Sequence, residues 1–210
     1  MKYVLADRID AGIRLSEKLI HLKGQDCVVL GIPRGGIVVG DKIARNLGCK
    51  LDAVISKKIN PPRNREYAIG AIMPDGTVHW NCDVSTYLEG DYLKQEIEEK
   101  KAAVEDQLKK FRGKSDYNLK DKTVILVDDG IATGATVLVI LEWLAKQMSR
   151  EVYVATPVVA ADVYEEIKKN CDGVVALLIP TFFNAESQFY EKFNEVEDKE
   201  VLGILSRYMD

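Results

Sequence analysis

Two adjacent carboxylates, Asp128 and Asp129, stand between an apolar run and a stretch of small residues. The run 123–127 contains only apolar or β-branched side chains, which predicts a strand buried on both faces. Small residues follow at 130–136, and the apolar segment 137–144 predicts a buried helix. A strand, a loop of small residues and a helix N-terminus together expose backbone N–H groups that bind anions.

The loop and the carboxylates favour different parts of one ligand. The backbone amides of residues 133–136 can close around a phosphate, and the hydroxyl groups of Thr133 and Thr136 add donors. Asp128 and Asp129 would repel that phosphate, so they suit neutral hydroxyl groups or a cation. A sugar phosphate such as ribose 5-phosphate carries both kinds of group. The alternative is an ordinary βα turn with a capping Thr or Asp.

A second Gly-rich turn follows another predicted strand, 27–32. The turn Pro33-Arg34-Gly35-Gly36 leads into a predicted helix over 37–47, and its arginine suits phosphate oxygens. The glycine spacing does not give the G-x-G-x-x-G of dinucleotide-binding folds, and the next strand runs into Ser56-Lys57-Lys58 rather than an acidic residue. A plain βα turn remains the alternative here.

A basic segment, 57–65, follows the predicted strand 51–56. It contains four cations, two prolines and no acid, which predicts either a solvated loop or a mobile flap that closes on a polyanion. Segments 66–72 and 77–80, on either side of a Pro-Asp-Gly turn, predict an antiparallel hairpin.

The alternation of predicted strands and helices indicates a mainly parallel sheet with right-handed crossovers. Further strands are predicted at 151–159 and 173–179, with a helix over 161–169 between them. In such sheets functional groups gather at the carboxyl ends of the strands. The two Gly-containing turns and the lysine pair all follow predicted strands, so we expect them to share one cleft.

The remaining segments predict supporting elements. A helix over 7–22, with apolar residues including Ile9 and Ile13, is expected to cover the core without contributing chemistry. The charged segment 84–111 predicts a helix with a narrow apolar stripe, either solvated or in a homodimer contact. Phe182 and Phe183 follow the last strand, where they either stack on a planar base or fix a loop. A terminal helix is expected over 198–209.

Bulk composition narrows the classes of partner. The 210 residues carry a net charge of −4, so no basic field attracts nucleic acid. Four scattered cysteines without a CxxC pair argue against a zinc site and a disulfide framework, and favour the reducing cytoplasm. No apolar run has membrane-spanning length, and we expect neither a membrane partner nor a signal peptide.

The sequence resembles the type I phosphoribosyltransferases, whose phosphoribosyl pyrophosphate (PRPP) motif is similar to Val-Asp-Asp-Gly-x-Ala-Thr-Gly-Ala-Thr at 127–136. It is most similar to a bacterial and archaeal branch without an assigned acceptor. That branch also contains Leu-Gly-x-Pro-Arg-Gly-Gly (30–36), Glu-x-Ala-Ile-Gly-Ala-Ile (66–72) and a Tyr-x-x-Phe segment (190–193).

The resemblance implies a single three-layer α/β/α domain with an antiparallel flap hairpin and a small hood. The expected parts are a core over about 24–179, a flexible loop and hairpin over 57–80, a helical insertion over 83–113 and a hood over 180–210. The implied activity is Mg²⁺-dependent transfer of a phosphoribosyl group from PRPP to a small nitrogenous acceptor.

The resemblance also assigns site residues by position. The 5-phosphate is expected at Ala132, Thr133, Gly134, Ala135 and Thr136. Pyrophosphate is expected at Arg34, Gly35, Gly36 and Lys57. Catalytic roles fall on Asp128, Asp129, Lys58 and Glu66, with both aspartates near Mg²⁺, and a base would stack on Phe182 or Phe183.

One position departs from part of the family. Hypoxanthine-guanine transferases usually carry an Asp where this chain has Ala132, which makes a 6-oxopurine acceptor less favoured. Two other function classes stay open: a phosphoribosyl-binding hydrolase or phosphorylase, and a non-catalytic PRPP or nucleotide sensor.

Overall fold

The structure is a computed structural model that describes residues 4–62, 68–80 and 92–209. Within these ranges the chain forms eight strands and six α-helices. The strands are β1 (Cys27–Gly31), β2 (Lys50–Ala53), β3 (Lys57–Ile59), β4 (Gly70–Ile72), β5 (Val78–Trp80), β6 (Thr123–Val127), β7 (Glu151–Val158) and β8 (Gly173–Leu178). The helices are α1 (Arg8–Lys18), α2 (Gly35–Leu47), α3 (Tyr92–Phe111), α4 (Ala135–Leu144), α5 (Ala161–Ile167) and α6 (Asp198–Leu205).

The main sheet has five strands in the order β2-β1-β6-β7-β8, and every neighbouring pair is parallel. This confirms the predicted α/β class. All five residues of β6 are buried. Ile125 and Val127 pack on one face of the sheet and Val124 and Leu126 on the other, because successive side chains of a strand alternate between faces.

Helices cover both faces of this sheet, which gives three layers. One layer contains α1, α2, α6 and the C-terminal half of α3, and the other contains α4 and α5. Arg112 fixes the end of α3 to β2: its guanidinium donates to both carboxylate oxygens of Asp52, at 2.7 and 2.8 Å. The same guanidinium lies 3.6 Å from the centre of the Tyr117 ring. In the part of the chain that the structure describes, no helix is long and apolar enough to cross a bilayer.

A second, antiparallel sheet has the order β3-β4-β5. The predicted hairpin is confirmed as β4 and β5, with its turn between them. The prediction of a loop from residue 57 was wrong at its start, because 57–59 pair with β4: Lys57 lies opposite Ile72 and Lys58 opposite Ala71. Burial of Ile59 against Ile69 and Ile72 accounts for this pairing.

One disulfide contradicts the expectation drawn from the scattered cysteines. Cys27 and Cys49 are bonded, with their Cα atoms 5.7 Å apart. Cys27 opens β1, and Cys49 directly precedes β2, the parallel neighbour of β1. The β1-α2-β2 crossover therefore brings together two cysteines that are 22 residues apart in the sequence.

Candidate active site

A cleft of about 440 Å³ opens at the carboxyl ends of β1 and β6 and beside β3. It confirms that the predicted motifs converge, as the rule for parallel sheets requires. The cleft is lined by most of the predicted site residues: Arg34, Lys57, Lys58, Asp128, Asp129, Ala132, Thr133, Gly134, Ala135 and Thr136. Ser56, Asn60, Lys100 and Glu186 also line it, although sequence reasoning assigned them no role.

The loop between β6 and α4 leads directly into a helix N-terminus. Gly134 has φ +75°, a conformation that suits glycine, and Ala135 begins α4. Within the described ranges, no backbone N–H group of residues 132–136 donates a hydrogen bond to another protein atom. The first N–H groups of a helix lack intrahelical acceptors, and the helix dipole is positive there. The loop therefore has the donors and the local field that an anion requires.

The two glycines of the β1–α2 turn allow close packing against the acidic pair. A Cβ atom at Gly35 would lie 1.9 Å from Asp129 Oδ2, and one at Gly36 would lie 2.5 Å from the carbonyl oxygen of Val127. Neither distance is compatible with a side chain. Gly35 and Gly36 do not line the cleft directly, but they bring the start of α2 against the residues that do.

Asp129 is held by residues from both ends of the chain. Arg8 Nε donates to Asp129 Oδ2 at 2.6 Å, and Arg8 Nη1 donates to the carbonyl oxygen of Asn194 at 2.8 Å. The Arg8 guanidinium also lies 3.8 Å from the centre of the Phe193 ring. The Tyr190 hydroxyl donates to the backbone carbonyl of Asp129 at 2.6 Å. The first helix was expected only to cover the core, and the structure adds that its Arg8 contacts a cleft residue.

Asp128 differs from its neighbour in environment. Its Oδ1 accepts a hydrogen bond from the backbone N–H of Asp129 at 3.0 Å. Desolvation by the surrounding protein, and then the charge of Asp129, raise the pKa of Asp128 well above its usual range. The acidic pair therefore contains one carboxylate tied to a guanidinium and one carboxyl group without a cation partner among the described residues.

The opposite wall of the cleft is cationic. Arg34 contributes a guanidinium whose Nη2 lies 3.2 Å from Glu195 Oε1. Burial, followed by the charges of Lys100 and Arg34, lowers the pKa of Lys57. Lys58 is exposed beside it. The cleft thus joins an acidic pair, a loop whose amides have no acceptor in the described part of the chain, and a cluster of cations.

Two predicted residues, Phe182 and Phe183, stand apart from this cleft. Phe182 is 87% exposed and Phe183 packs on Phe189 with ring centres 5.2 Å apart, and neither lines the cleft. Glu66 lies outside the described residues. Glu186, in the hood segment 180–210, does line the cleft. Its side chain packs against Gly130, where an added Cβ atom would lie 2.3 Å from Glu186 Cγ.

The described residues contain no cluster of three or more acidic, histidine or cysteine side chains able to enclose a metal ion. The two carboxylates of Asp128 and Asp129 suit Mg²⁺ if waters and a phosphate ligand supply the other oxygens. Mg²⁺ keeps several waters and takes one or two protein carboxylates together with oxygens of a phosphate ligand.

The fold and the cleft define a class of protein. The chain belongs to the phosphoribosyl transferase domain family, whose family model matches residues 4–194. The type I resemblance of the three sequence motifs agrees with this assignment.

Individual relatives share the family or the fold. Two Mycobacterium tuberculosis proteins, from strains CDC 1551 and H37Rv, are named "Putative phosphoribosyl transferase" and are 35% identical to this chain over 204 residues. The matched region is 96% of this chain, which spans only 46% of the length of these curated relatives.

Solved structures extend the comparison to the fold. A protein from Thermus thermophilus is 36% identical, with a TM-score of 0.80 over 99% of this chain and 100% of its own. A hypoxanthine phosphoribosyltransferase from Staphylococcus aureus is 14% identical, with a TM-score of 0.50 over 87% of this chain and 80% of its own. At that identity the second comparison concerns the fold alone.

Proposed function

We propose that this protein is a phosphoribosyltransferase that transfers the 5-phosphoribosyl group of PRPP to a nitrogen nucleophile and releases pyrophosphate. The observation that carries the proposal is the row of backbone N–H groups at residues 132–136, which have no acceptor among the described residues and lie in the same cleft as an acidic pair and four cations. PRPP presents a phosphate, two ribose hydroxyl groups and a diphosphate, and each has a chemically matched counterpart there.

The 5-phosphate is assigned to the loop 132–136, where backbone amides and the hydroxyl groups of Thr133 and Thr136 surround it. Asp128 and Asp129 are assigned to the ribose hydroxyl groups, because a carboxylate accepts hydrogen bonds from hydroxyl groups. Arg8 orients the Asp129 carboxylate for this purpose, because a side chain held at 2.6 Å by a guanidinium loses little further freedom on binding.

The pyrophosphate is assigned to the turn that contains Arg34, Gly35 and Gly36, together with Lys57 and Lys58. As the anomeric C–O bond breaks, negative charge grows on the departing diphosphate, and cations already in place stabilise it. Mg²⁺, held by Asp128 and Asp129 directly or through water and by ligand oxygens, would add positive charge beside the diphosphate.

The acceptor is proposed to be a small nitrogenous base or a related nitrogen nucleophile. Ala132 lines the cleft at the position where hypoxanthine-guanine transferases usually carry an Asp. A 6-oxopurine is therefore the less favoured acceptor. Phe182 and Phe183, outside the cleft lining, are weak candidates for stacking on it.

The proposal is tested by measuring pyrophosphate release from Mg²⁺–PRPP with a panel of purines, pyrimidines and other nitrogen bases. Release that depends on one acceptor class supports the transferase. PRPP binding without turnover across the panel would replace it with a sensor on the same fold, and release without any acceptor would indicate a hydrolase. Absence of PRPP binding would overturn all three.

A further inference from the structure

Helix α3 contributes a cation to the cleft, although its sequence predicts only a solvated or dimer-forming helix. Lys100 lines the cleft together with Arg34, Lys57 and Lys58. After burial, the charge of Lys100 is the next cause that lowers the pKa of Lys57, followed by that of Arg34. Cations from the β1–α2 turn, strand β3 and helix α3 therefore lie within electrostatic range of one another.

One face of α3 is tied to the residue that follows β3. Tyr92, Glu96 and Lys100 are spaced four residues apart, which places them on the same side of the helix. Glu96 Oε1 lies 3.2 Å from Lys100 Nζ and also accepts a hydrogen bond from the backbone N–H of Asn60 at 3.2 Å. The Tyr92 hydroxyl donates to the Asn60 carbonyl at 3.0 Å.

The apolar side of α3 fixes its orientation along its whole length. Leu93 packs with Ile59 and the other apolar residues of the small sheet, whereas Val104 and Leu108 join the main core. The Glu96 side chain is only 10% exposed. Lys100 is therefore placed by a packed helix and a buried carboxylate, unlike a lysine on a free surface.

The four cations of the cleft, Arg34, Lys57, Lys58 and Lys100, favour binding of an anion between them. Glu195 lies within ion-pair distance of Arg34, and Glu96 within ion-pair distance of Lys100. Within the described ranges, neither Lys57 nor Lys58 has a carboxylate within that distance, so two of the four cations are without an ion-pair partner there. A nearby like charge disfavours the protonated form of a lysine, and a multiply charged anion removes that penalty. A diphosphate presents several oxygens, so it can contact cations from different elements at once.

We propose that Lys100 is a binding residue for the pyrophosphate group of PRPP and that Glu96 is the positioning residue that orients it. The proposal rests on the proposed function. It assigns the helical insertion a part in the active site, so that the diphosphate subsite is completed by an element outside the parallel core.

The test is calorimetric titration of Mg²⁺–pyrophosphate, Mg²⁺–PRPP and ribose 5-phosphate into the wild type and Lys100→Gln. Removing a hydrogen bond to a charged group should weaken pyrophosphate and PRPP binding by about tenfold or more. Ribose 5-phosphate, which lacks the diphosphate, should bind as tightly as before. Lys109→Gln is the matched control, because Lys109 lies on the same helix, is exposed and does not line the cleft.

Glu96→Gln tests the positioning role with the same three ligands. We expect a smaller loss for pyrophosphate and PRPP and none for ribose 5-phosphate. Equal losses for all three would mean that Glu96 supports the structure only. Thermal unfolding checks that each variant is folded, and Lys100→Met, which retains the aliphatic stem, replaces Lys100→Gln if that variant is unstable.

The outcomes separate this inference from the proposed function. If the wild type binds pyrophosphate and PRPP but Lys100→Gln binds them equally well, the role of Lys100 is wrong and the transferase proposal stands. If the wild type binds none of the three ligands, the transferase proposal itself fails.

Discussion

Replacing Arg8 with Gln should lower the free energy of unfolding and also leave the Asp129 carboxylate less firmly oriented. The lost hydrogen bond joins two charged groups at 2.6 Å, with side chains only 11% and 16% exposed. Bonds of this kind contribute about 1.5–3 kcal/mol, and the contact of Arg8 with the Phe193 ring adds about 0.5–2 kcal/mol. We therefore expect a loss of about 3 kcal/mol of unfolding free energy, which corresponds to a decrease in Tm of about 6–12 °C for a domain of this size.

A double-mutant cycle isolates the ion pair from other effects of the substitution. Urea unfolding of wild type, Arg8→Gln, Asp129→Asn and the double variant should give a coupling energy of about 2 kcal/mol. The control cycle uses Lys122 and Asp26, 3.6 Å apart with side chains 28% and 66% exposed, and should give less than about 0.5 kcal/mol. A coupling for Arg8 and Asp129 no larger than the control would refute the argument that this pair anchors the site.

Two further perturbations test the packing and the charge of the cleft. Burial lowers the pKa of Lys57 from its ordinary 10.5. As pH rises, Lys57 therefore loses its positive charge at a lower pH than an ordinary lysine does. Wild-type pyrophosphate affinity should therefore fall, relative to Lys57→Arg, as pH rises towards 10.5, and parallel calorimetric pH profiles would contradict this. Gly35→Ala forces a Cβ atom against Asp129, 1.9 Å from Oδ2, and should cost about 1–3 kcal/mol in urea unfolding. Gly203→Ala, where a Cβ atom meets nothing within 4 Å, should not destabilise, and equal losses for the two variants would contradict the close packing at Gly35.

The features that could be predicted from the sequence depend on local pattern. The β6 run is apolar or β-branched at every position because both faces of its strand are covered, and the small residues after it end in a helix N-terminus. The convergence of Arg34, Lys57 and Asp128 followed from a rule about parallel sheets, which needs only the order of elements.

The features that could not be predicted depend on contacts between distant segments. Arg8 and Asp129 are 121 residues apart, and neither residue type nor spacing indicates that they meet. Lys100 belongs to a helix whose charge pattern is typical of a solvated surface, so its place at the cleft follows only from how α3 packs.

The apolar periodicity of segment 7–22 was right for Leu15, Leu19 and Leu22, which are buried, but wrong for two isoleucines. Ile9 and Ile13, which the apolar pattern placed on the core, are 45% and 47% exposed. Besides Leu15, the buried face contains the small residues Ala11, Gly12 and Ser16, and a Cβ atom at Gly12 would lie 2.6 Å from the carbonyl oxygen of Val39. The close approach of α1 to α2 therefore requires a residue without a side chain at Gly12.

The central claim is that the loop 132–136 binds the 5-phosphate of PRPP, and a charge inserted into that loop tests it most directly. Thr133 is exposed and lines the cleft, so Thr133→Asp should fold normally while its carboxylate repels a phosphate. Calorimetry should show binding of both Mg²⁺–PRPP and ribose 5-phosphate to the wild type, and none to Thr133→Asp. Undiminished binding of either ligand to a folded Thr133→Asp would contradict the account.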